Sequence, residues 1–404
     1  MRIAFLTSIY PKHAEEIYKQ NPKLSKQTSD EQMEFIRWHA LSSYVRWFEL
    51  LEKLGFKTCQ FNRNVPEISY AWARENHFNP SSNDPVLEIG KEKIRRFQPN
   101  IIFCFAPTLY VGNRFLDEVS GEIKPKVKLI AWYGANVGDE NMFNRFDLTL
   151  SNSKHLVNRL RKKGISAEWL QHSFDPIILE KISLPNTRKN KMAFFGNLDL
   201  ATPDFKSRTE LLEELTSKNR YFDIFGDSYT PKVKERFKHR TIRYRHSIAS
   251  KVSKYWKNSK IMNWSNANNL PKSPWLLPTE FAKKINKPKF GNEMLQELCK
   301  YQIGFNYHNQ FTGNYACNMR LFENTGLGCA LLTDNKMDIN EYFENEKEVL
   351  TYNNKNDAIE KMNFLLNNPD YSKRLGKKAQ VKCLSSHNTN KILKILKDYL
   401  IKII

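Results

Sequence analysis

Short runs of β-branched and aromatic residues alternate with longer segments of helical periodicity along this 404-residue chain, and that alternation restricts its fold more than any other feature. The runs are Arg2–Thr7 and residues 56–61, 100–105, 127–133, 148–151 and 168–170. Their lengths suit strands rather than helices. Between the first two lies the segment 31–54, where Phe35, Trp38, Leu41, Tyr44, Val45, Phe48 and Leu51 recur at helical spacing. Ser29 and Gln32 have the spacing of a capping box at its start, and Gly55 closes it. Strand and helix in strict turn imply a parallel sheet with helices on both faces, because a parallel crossover needs a long connection. The expected class is α/β, with Rossmann-like doubly wound domains.

Residues 1–170 form one such unit. The stretch 171–190 then loses its periodicity and gains Pro176, Pro185 and a basic polar run, which reads as a linker. A second unit, 191–385, opens on the apolar MAFFGN beginning at Met192. It continues with a helix over 207–215, a strand over 221–226, and strands near 303–307, 330–333 and 349–352. Residues 386–404 read as a C-terminal helix expected to pack back on the first domain. No repeat of about 20 to 50 residues is visible, which argues against a solenoid. Two doubly wound domains in tandem are expected to set the C-terminal edges of their sheets opposite each other across a cleft. Helix N-termini at those edges offer amides and positive dipole ends to an anion. Such a cleft suits a nucleotide diphosphate held by one domain and an acceptor held by the other.

The chain has 26 Phe, 17 Tyr and 8 Trp, too many aromatics for a disordered protein, and its 64 Lys and Arg against 43 Asp and Glu give a net charge of +21. An acidic partner, an anionic substrate or a codon bias toward Lys and Asn would each account for that excess. Cys59, Cys104, Cys299, Cys317, Cys329 and Cys383 lie far apart, without a C-x-x-C pair or zinc-ligand spacing, so neither disulfides nor a structural metal is indicated. The N-terminus MRIAFLTSIYPKHAEE turns polar within a few residues, as a first buried strand does and a signal peptide does not. No run approaches the ~18 apolar residues of a membrane span. A cytoplasmic protein is expected, with peripheral contact at the inner face of the membrane left open.

The segment from residue 290 to 387 is the richest in chemistry. An apolar strand ends in Asn306 and His308 and is followed by a polar loop holding Gly313. A helix starts near Asn318, and Gly326 and Gly328 lead into the strand at Cys329. A loop of this kind leaves backbone amides free, Arg320 in the first turn adds a bidentate donor for phosphate, and Glu323 follows on the same helix face. A plain surface ion pair would explain Arg320 and Glu323 as well, and strand-end turns would explain Gly196 and Gly226.

The strings NMRLFENTGLGCALLTD, ENEKEVLTYNNKNDAIEKMNFLLNNPD and SSHNTNKI resemble the C-terminal domain of GT-B glycosyltransferases. The group is the CgeB-like one and, more distantly, the family 4 enzymes. FFGNLD, SRTELLEEL and IFGDS are similar too, so the resemblance covers residues 192–400 apart from a gap near 230–290; the first half matches in outline only, through Ser151–Ser153 and HSFDP. The resemblance implies a metal-independent transferase without a cofactor, using a nucleotide-sugar as donor. It implies that Glu323 accepts hydrogen bonds from the donor ribose and that Arg320 and Arg208 neutralise the diphosphate. The donor site it implies also takes in Gly196, Asn197, Gly226, Asp227, Asn306, Asn318, Thr325 and Gly326. Family 4 enzymes carry two glutamates spaced E-x7-E, and Tyr315 occupies the first position here. His308, counted with Glu323 and Arg320 as a catalytic candidate, or Asn318 is left to take over that contact. His13, Glu15, Glu16, Asp139 and His172 are the acceptor-side candidates, none with a strong signal. The absence of a D-x-D motif argues against the metal-dependent glycosyltransferase architecture.

Residues 231–290 hold 16 Lys and Arg against two Asp and Glu, together with Trp256, Trp264 and Trp275. This basic, aromatic insertion suits anionic lipid headgroups, nucleic acid phosphates or an acidic polysaccharide, and a solvated loop would look the same. The leading expectation is sugar transfer to a glycan, lipid-linked or protein acceptor in surface-glycan assembly. The alternatives are a nucleic-acid-binding or DNA-glycosylating protein, although nucleic acid is not the favoured partner, and a nucleotide-sugar epimerase of the same fold.

Overall fold

The structure is a computed structural model that describes residues 1–9, 11–40, 46–106, 113–123, 126–198, 203–226, 233–253, 255, 259–265 and 277–404. The chain forms two compact units, residues 1–192 with 289–404, and residues 193–288.

Strands β1 (Arg2–Thr7), β2 (Lys57–Asn62), β3 (Ile101–Phe105), β4 (Lys128–Trp132), β5 (Leu148–Ser151) and β6 (Ala167–Trp169) build a first sheet in the order β2-β1-β3-β4-β5-β6. Every pair in it is parallel. Ile3, Phe5, Ile101, Phe103, Ile130 and Leu150 are wholly or nearly wholly buried, as strands covered on both faces require. The remaining strands are β7 (Lys189–Phe195), β8 (Phe222–Phe225), β9 (Ile285–Asn286), β10 (Tyr301–Asn306), β11 (Ala330–Asp334) and β12 (Leu350–Tyr352), in the order β12-β11-β10-β7-β8-β9. Counted along its own stretch of chain, this is the order 3-2-1-4-5-6 of doubly wound folds. Both sheets are the expected α/β architecture.

Several local expectations shift. The periodic segment 31–54 gives two helices, Ser29–Ala40 and Trp47–Lys53, with Leu41, Tyr44 and Val45 outside the described residues. The capping box sits one residue earlier than the sequence suggests. The backbone N–H of Thr28 donates to Glu31 Oε2 at 2.9 Å, and the Glu31 N–H donates to Thr28 Oγ1 at 3.2 Å. Ser29 points instead to Glu75, a partner remote in sequence. Gly55 does close the second helix, with φ +92° and its N–H on Glu52 O.

The stretch 171–190 is more ordered than a linker. It holds a short helix, Ile178–Lys181, it supplies the start of β7, and buried Phe174 pairs in parallel with Asn388. The helix Thr389–Lys402 follows at once, and its Ile392, Leu393, Leu396 and Leu400 join Trp47, Phe48, Leu51, Ile130 and Leu148 in one apolar cluster on the first sheet. Within 231–290 the chain forms helices Val233–Val252, Ser259–Ser265 and Thr279–Ala282 and the strand β9, where the sequence showed only charge. Trp256 and Trp275 fall outside the described residues.

Candidate active site

The polar residues converge at the carboxyl ends of β10 and β11. Parallel strands end there in loops that lead to helix N-termini, and buried polar groups at such an edge must find partners. Asn306, the last residue of β10, donates through Nδ2 to Thr333 Oγ1 at 3.0 Å, and its backbone carbonyl accepts from the Tyr352 hydroxyl at 3.1 Å. The Asn318 amide donates to Asn306 Oδ1 at 2.6 Å and to Tyr307 O at 3.2 Å. Asn318 occupies the N-cap position of the helix Met319–Gly326 but makes no side-chain cap, because its amide is committed to the strand end.

His308 sits two residues beyond β10 with its side chain wholly buried. Its Nδ1 lies 2.7 Å from Asp334 Oδ1, and its backbone N–H donates to the same oxygen at 2.9 Å. Asp334, the last residue of β11, also meets Lys336 Nζ at 3.1 Å through its other oxygen. Burial works to raise the Asp334 pKa, but His308 and Lys336 outweigh it and hold the carboxyl below its ordinary value. A charged Asp334 accepts from Nδ1–H and leaves Nε2 as the other, buried nitrogen of the ring. Among the described residues Nε2 has no hydrogen-bond partner.

In the following helix, Arg320 of the first turn and Glu323, three residues on, form an ion pair through Nη1 and Oε2. Glu323 is buried, 7% exposed, while the Arg320 side chain keeps a quarter of its surface open. A carboxylate taken this far out of water needs a charged partner, and the pair is therefore more than a solvated surface contact. Asn324 fills the space that Gly304 leaves on β10 and donates to Arg320 O at 2.7 Å, which ties the helix to the strand.

Further ties fix the loop ahead of the helix. Asn152 Nδ2 donates to Cys317 O at 2.6 Å, and Asp338 accepts from the Ala316 N–H at 2.7 Å. Lys154 joins Asp338 at 3.1 Å and Glu341 at 2.6 Å while lying over the Trp169 and Tyr342 rings. Asp334, Lys336, Thr333 and Asp338 escaped the sequence reading. The signal was a pair of acids in TDNKMD directly after an apolar strand, the position a parallel sheet presents at its edge.

The other expected residues are placed as follows. The Thr325 hydroxyl donates within its own helix to Leu321 O at 2.7 Å, and Gly326 lies against the Phe174 ring, where a Cβ would come within 2.2 Å. Both serve helix packing. In the unit 193–288, Gly196 and Gly226 end β7 and β8; a Cβ on Gly226 would come within 2.6 Å of Gly196 O. Arg208 is buried between the Phe194 and Phe205 rings, at 5.4 and 4.6 Å, and donates to Asn197 O. Asp227 lies outside the described residues.

On the acceptor side, His13 stacks on Phe290, while Glu15 and Glu16 are exposed on the same helix. Asp139 caps a 3-10 turn by accepting from the Asn141 N–H at 2.9 Å. His172 is buried edge-on against Trp132, and burial pushes its pKa down to about 3, so its ring is neutral. These residues sit on separate elements.

The fold has solved counterparts. An α-glucosyltransferase in complex with UDP and a 13-mer DNA is similar, with 12% identity, 98% of each chain covered and a TM-score of 0.59. Sucrose-phosphate synthase from Thermosynechococcus elongatus gives 9% identity, 100% and 99% coverage and a TM-score of 0.53. Anabaena HepE, solved with UDP-glucose, gives 11% identity, full coverage of both chains and a TM-score of 0.53. No curated protein matches the chain by sequence. Residues 208–398 match a family model described as glycosyl transferase-like. Residues 208–398 are thus similar to glycosyl transferase-like domains, and the fold is the GT-B one. Within the matched residues lie Arg208, the linked residues Asn306, His308, Asn318 and Asp334, and the Arg320–Glu323 pair. Gly196, Asn197, His13, Glu16, Asp139 and His172 precede it.

Proposed function

We propose that the protein transfers a sugar from a nucleotide diphosphate-sugar to a glycan, lipid-linked or protein acceptor, without a metal ion or cofactor. The buried Glu323 carboxylate, paired with Arg320 in the first turn after the β10 loop, carries this reading. A carboxylate at a sheet edge is an acceptor for the two hydroxyls of a ribose, and the positive charge of the Arg320 guanidinium, a quarter of whose side chain is open, suits a diphosphate. As the bond from the anomeric carbon to the diphosphate oxygen breaks, negative charge grows on the leaving phosphate. Arg320 and the N-terminal amides of the helix Met319–Gly326 are preorganised to stabilise that charge. His308, oriented by Asp334, offers Nε2 to a sugar hydroxyl, the contact that a glutamate at position 315 makes in the E-x7-E pattern.

UDP-glucose is the donor to test first, since it is named for the Anabaena neighbour. A thermal-shift screen against UDP, GDP, CDP and CMP is the direct test, because a ligand that binds only the native state raises its melting temperature. At a concentration of a hundred times Kd the stabilisation is about 2.7 kcal/mol. One nucleoside diphosphate is expected to raise Tm and CMP is expected to do less. No shift with any of the four, together with no consumption of UDP-glucose, would overturn the proposal. Duplex DNA belongs among the acceptors assayed, since a neighbour was solved with DNA.

A further inference from the structure

We infer that the unit 193–288 carries a docking face for an anionic lipid bilayer, formed by the helix Val233–Val252 and its neighbour Ser259–Ser265. The inference rests on exposure and charge in this unit and is independent of the donor site. Phe237, Tyr244 and Ile248 follow one another at i, i+7 and i+11, and they are 66%, 69% and 47% exposed. Arg240 and Lys251, also exposed, interleave with them at i+3 and i+14. At about 100° per residue these five side chains fall within roughly a third of the helix circumference. Ala249, His246 and Ser250 occupy the other side, where Ala249 is buried and the other two are half-buried. The helix therefore turns a mixed apolar and basic face outward.

The neighbouring helix continues the face. Met262 and Trp264 are 53% and 48% exposed, and the Arg245 guanidinium lies 5.9 Å from the Trp264 ring. Tyr255, between the two helices, is the most exposed large side chain of this group. A soluble surface does not gather exposed Phe, Tyr, Ile, Met and Trp on one pair of helices without a partner.

The kind of partner follows from the mixture. With 16 Lys and Arg against two acidic residues in 231–290, it is anionic. Nucleic acid would use planar rings for stacking and cations for phosphate, but it has no use for Ile248 and Met262. A bilayer uses all of them: aliphatic and Phe side chains enter the acyl boundary, Tyr and Trp sit at the headgroup level, and Lys and Arg meet anionic headgroups.

Co-sedimentation of the full chain with vesicles tests this. The probes are phosphatidylcholine vesicles with and without about one-third phosphatidylglycerol, chosen because basic faces respond to anionic lipid. Binding is expected only to the anionic vesicles and is expected to weaken at high salt. The triple variant Phe237→Ser, Tyr244→Ser, Ile248→Ser keeps the charge and is expected to bind about tenfold more weakly, since affinity scales with the apolar area buried. Its melting temperature and UDP-glucose consumption are expected to stay at wild-type values, which excludes misfolding as the cause. Equal binding to both vesicle types, unchanged binding by the triple variant, or preference for a DNA duplex over the anionic vesicles would each overturn the inference.

Discussion

Asp334, half-buried, and His172, buried, are titratable groups of opposite type, and both make the protein lose stability on acidification. The Asp334 pKa is held below its ordinary value, so its contribution is present above the unfolded value near 3.9 and is lost as pH falls through the folded one. The His172 pKa is also depressed, to about 3, so the unfolded chain binds the proton first. Its contribution is full above about pH 6.5 and falls steadily below, by about 2 kcal/mol at pH 5. Tm is therefore expected to decline between pH 7 and pH 5, and His172→Gln is expected to flatten that decline. A decline of unchanged slope in the variant would remove His172 as its cause. In the proposed reaction Asp334 acts through His308. Asp334→Asn keeps the shape but loses the charge that fixes the tautomer, and kcat is expected to fall about ten- to a hundredfold, with KM for the donor little changed. Equal losses in His308→Gln and in the double variant would show that the two residues act as a unit.

At the scale of elements, the helix Met319–Gly326 depends on close approach as much as on its own sequence. Gly326 reads as a residue that weakens a helix, and propensity alone predicts that alanine there stabilises it by about 1 kcal/mol. The Phe174 ring lies where that Cβ would go, so Gly326→Ala is expected to destabilise by about 1 to 3 kcal/mol, measured by urea unfolding. The helix Thr389–Lys402 depends on its apolar stripe, and Leu396→Ala, which empties a fully buried position, is expected to cost about 2 to 5 kcal/mol. Local signals of this kind explain what the sequence disclosed and what it hid. Strands of β-branched and aromatic residues such as Arg2–Thr7 and Leu148–Ser151 fell within the residues expected, because their burial on both faces is written into composition. The capping box was displaced by one residue because the choice between Thr28 and Ser29 is made by Glu75, which is distant in sequence. The strand β9 was hidden because two residues, Ile285 and Asn286, carry no periodicity.

For the whole molecule, the α/β class and the alternation of strand and helix were legible in the sequence, whereas the order of strands within each sheet was not, because pairing between distant segments sets it. Strands β10, β11 and β12 fall in one unit with the first sheet, and 193–288 stands as the other. Of the candidate site, Asn306, His308, Asn318, Arg320 and Glu323 were legible from polar residues after an apolar strand. The carboxylate that orders His308 was not, because Asp334 is 26 residues away in sequence and only strand pairing brings it near. The net charge of +21 likewise resolves into place, since the basic residues of 231–290 account for most of the excess. In the proposed function, the Arg320–Glu323 pair after β10 binds and activates a nucleotide-sugar. UDP release from UDP-glucose by the wild type, Arg320→Ala and Glu323→Ala, with Tm recorded for each, tests that role. Release by the wild type, and a loss of about a hundredfold or more in both variants without unfolding, is the expected result. Wild-type rates in both folded variants would contradict it.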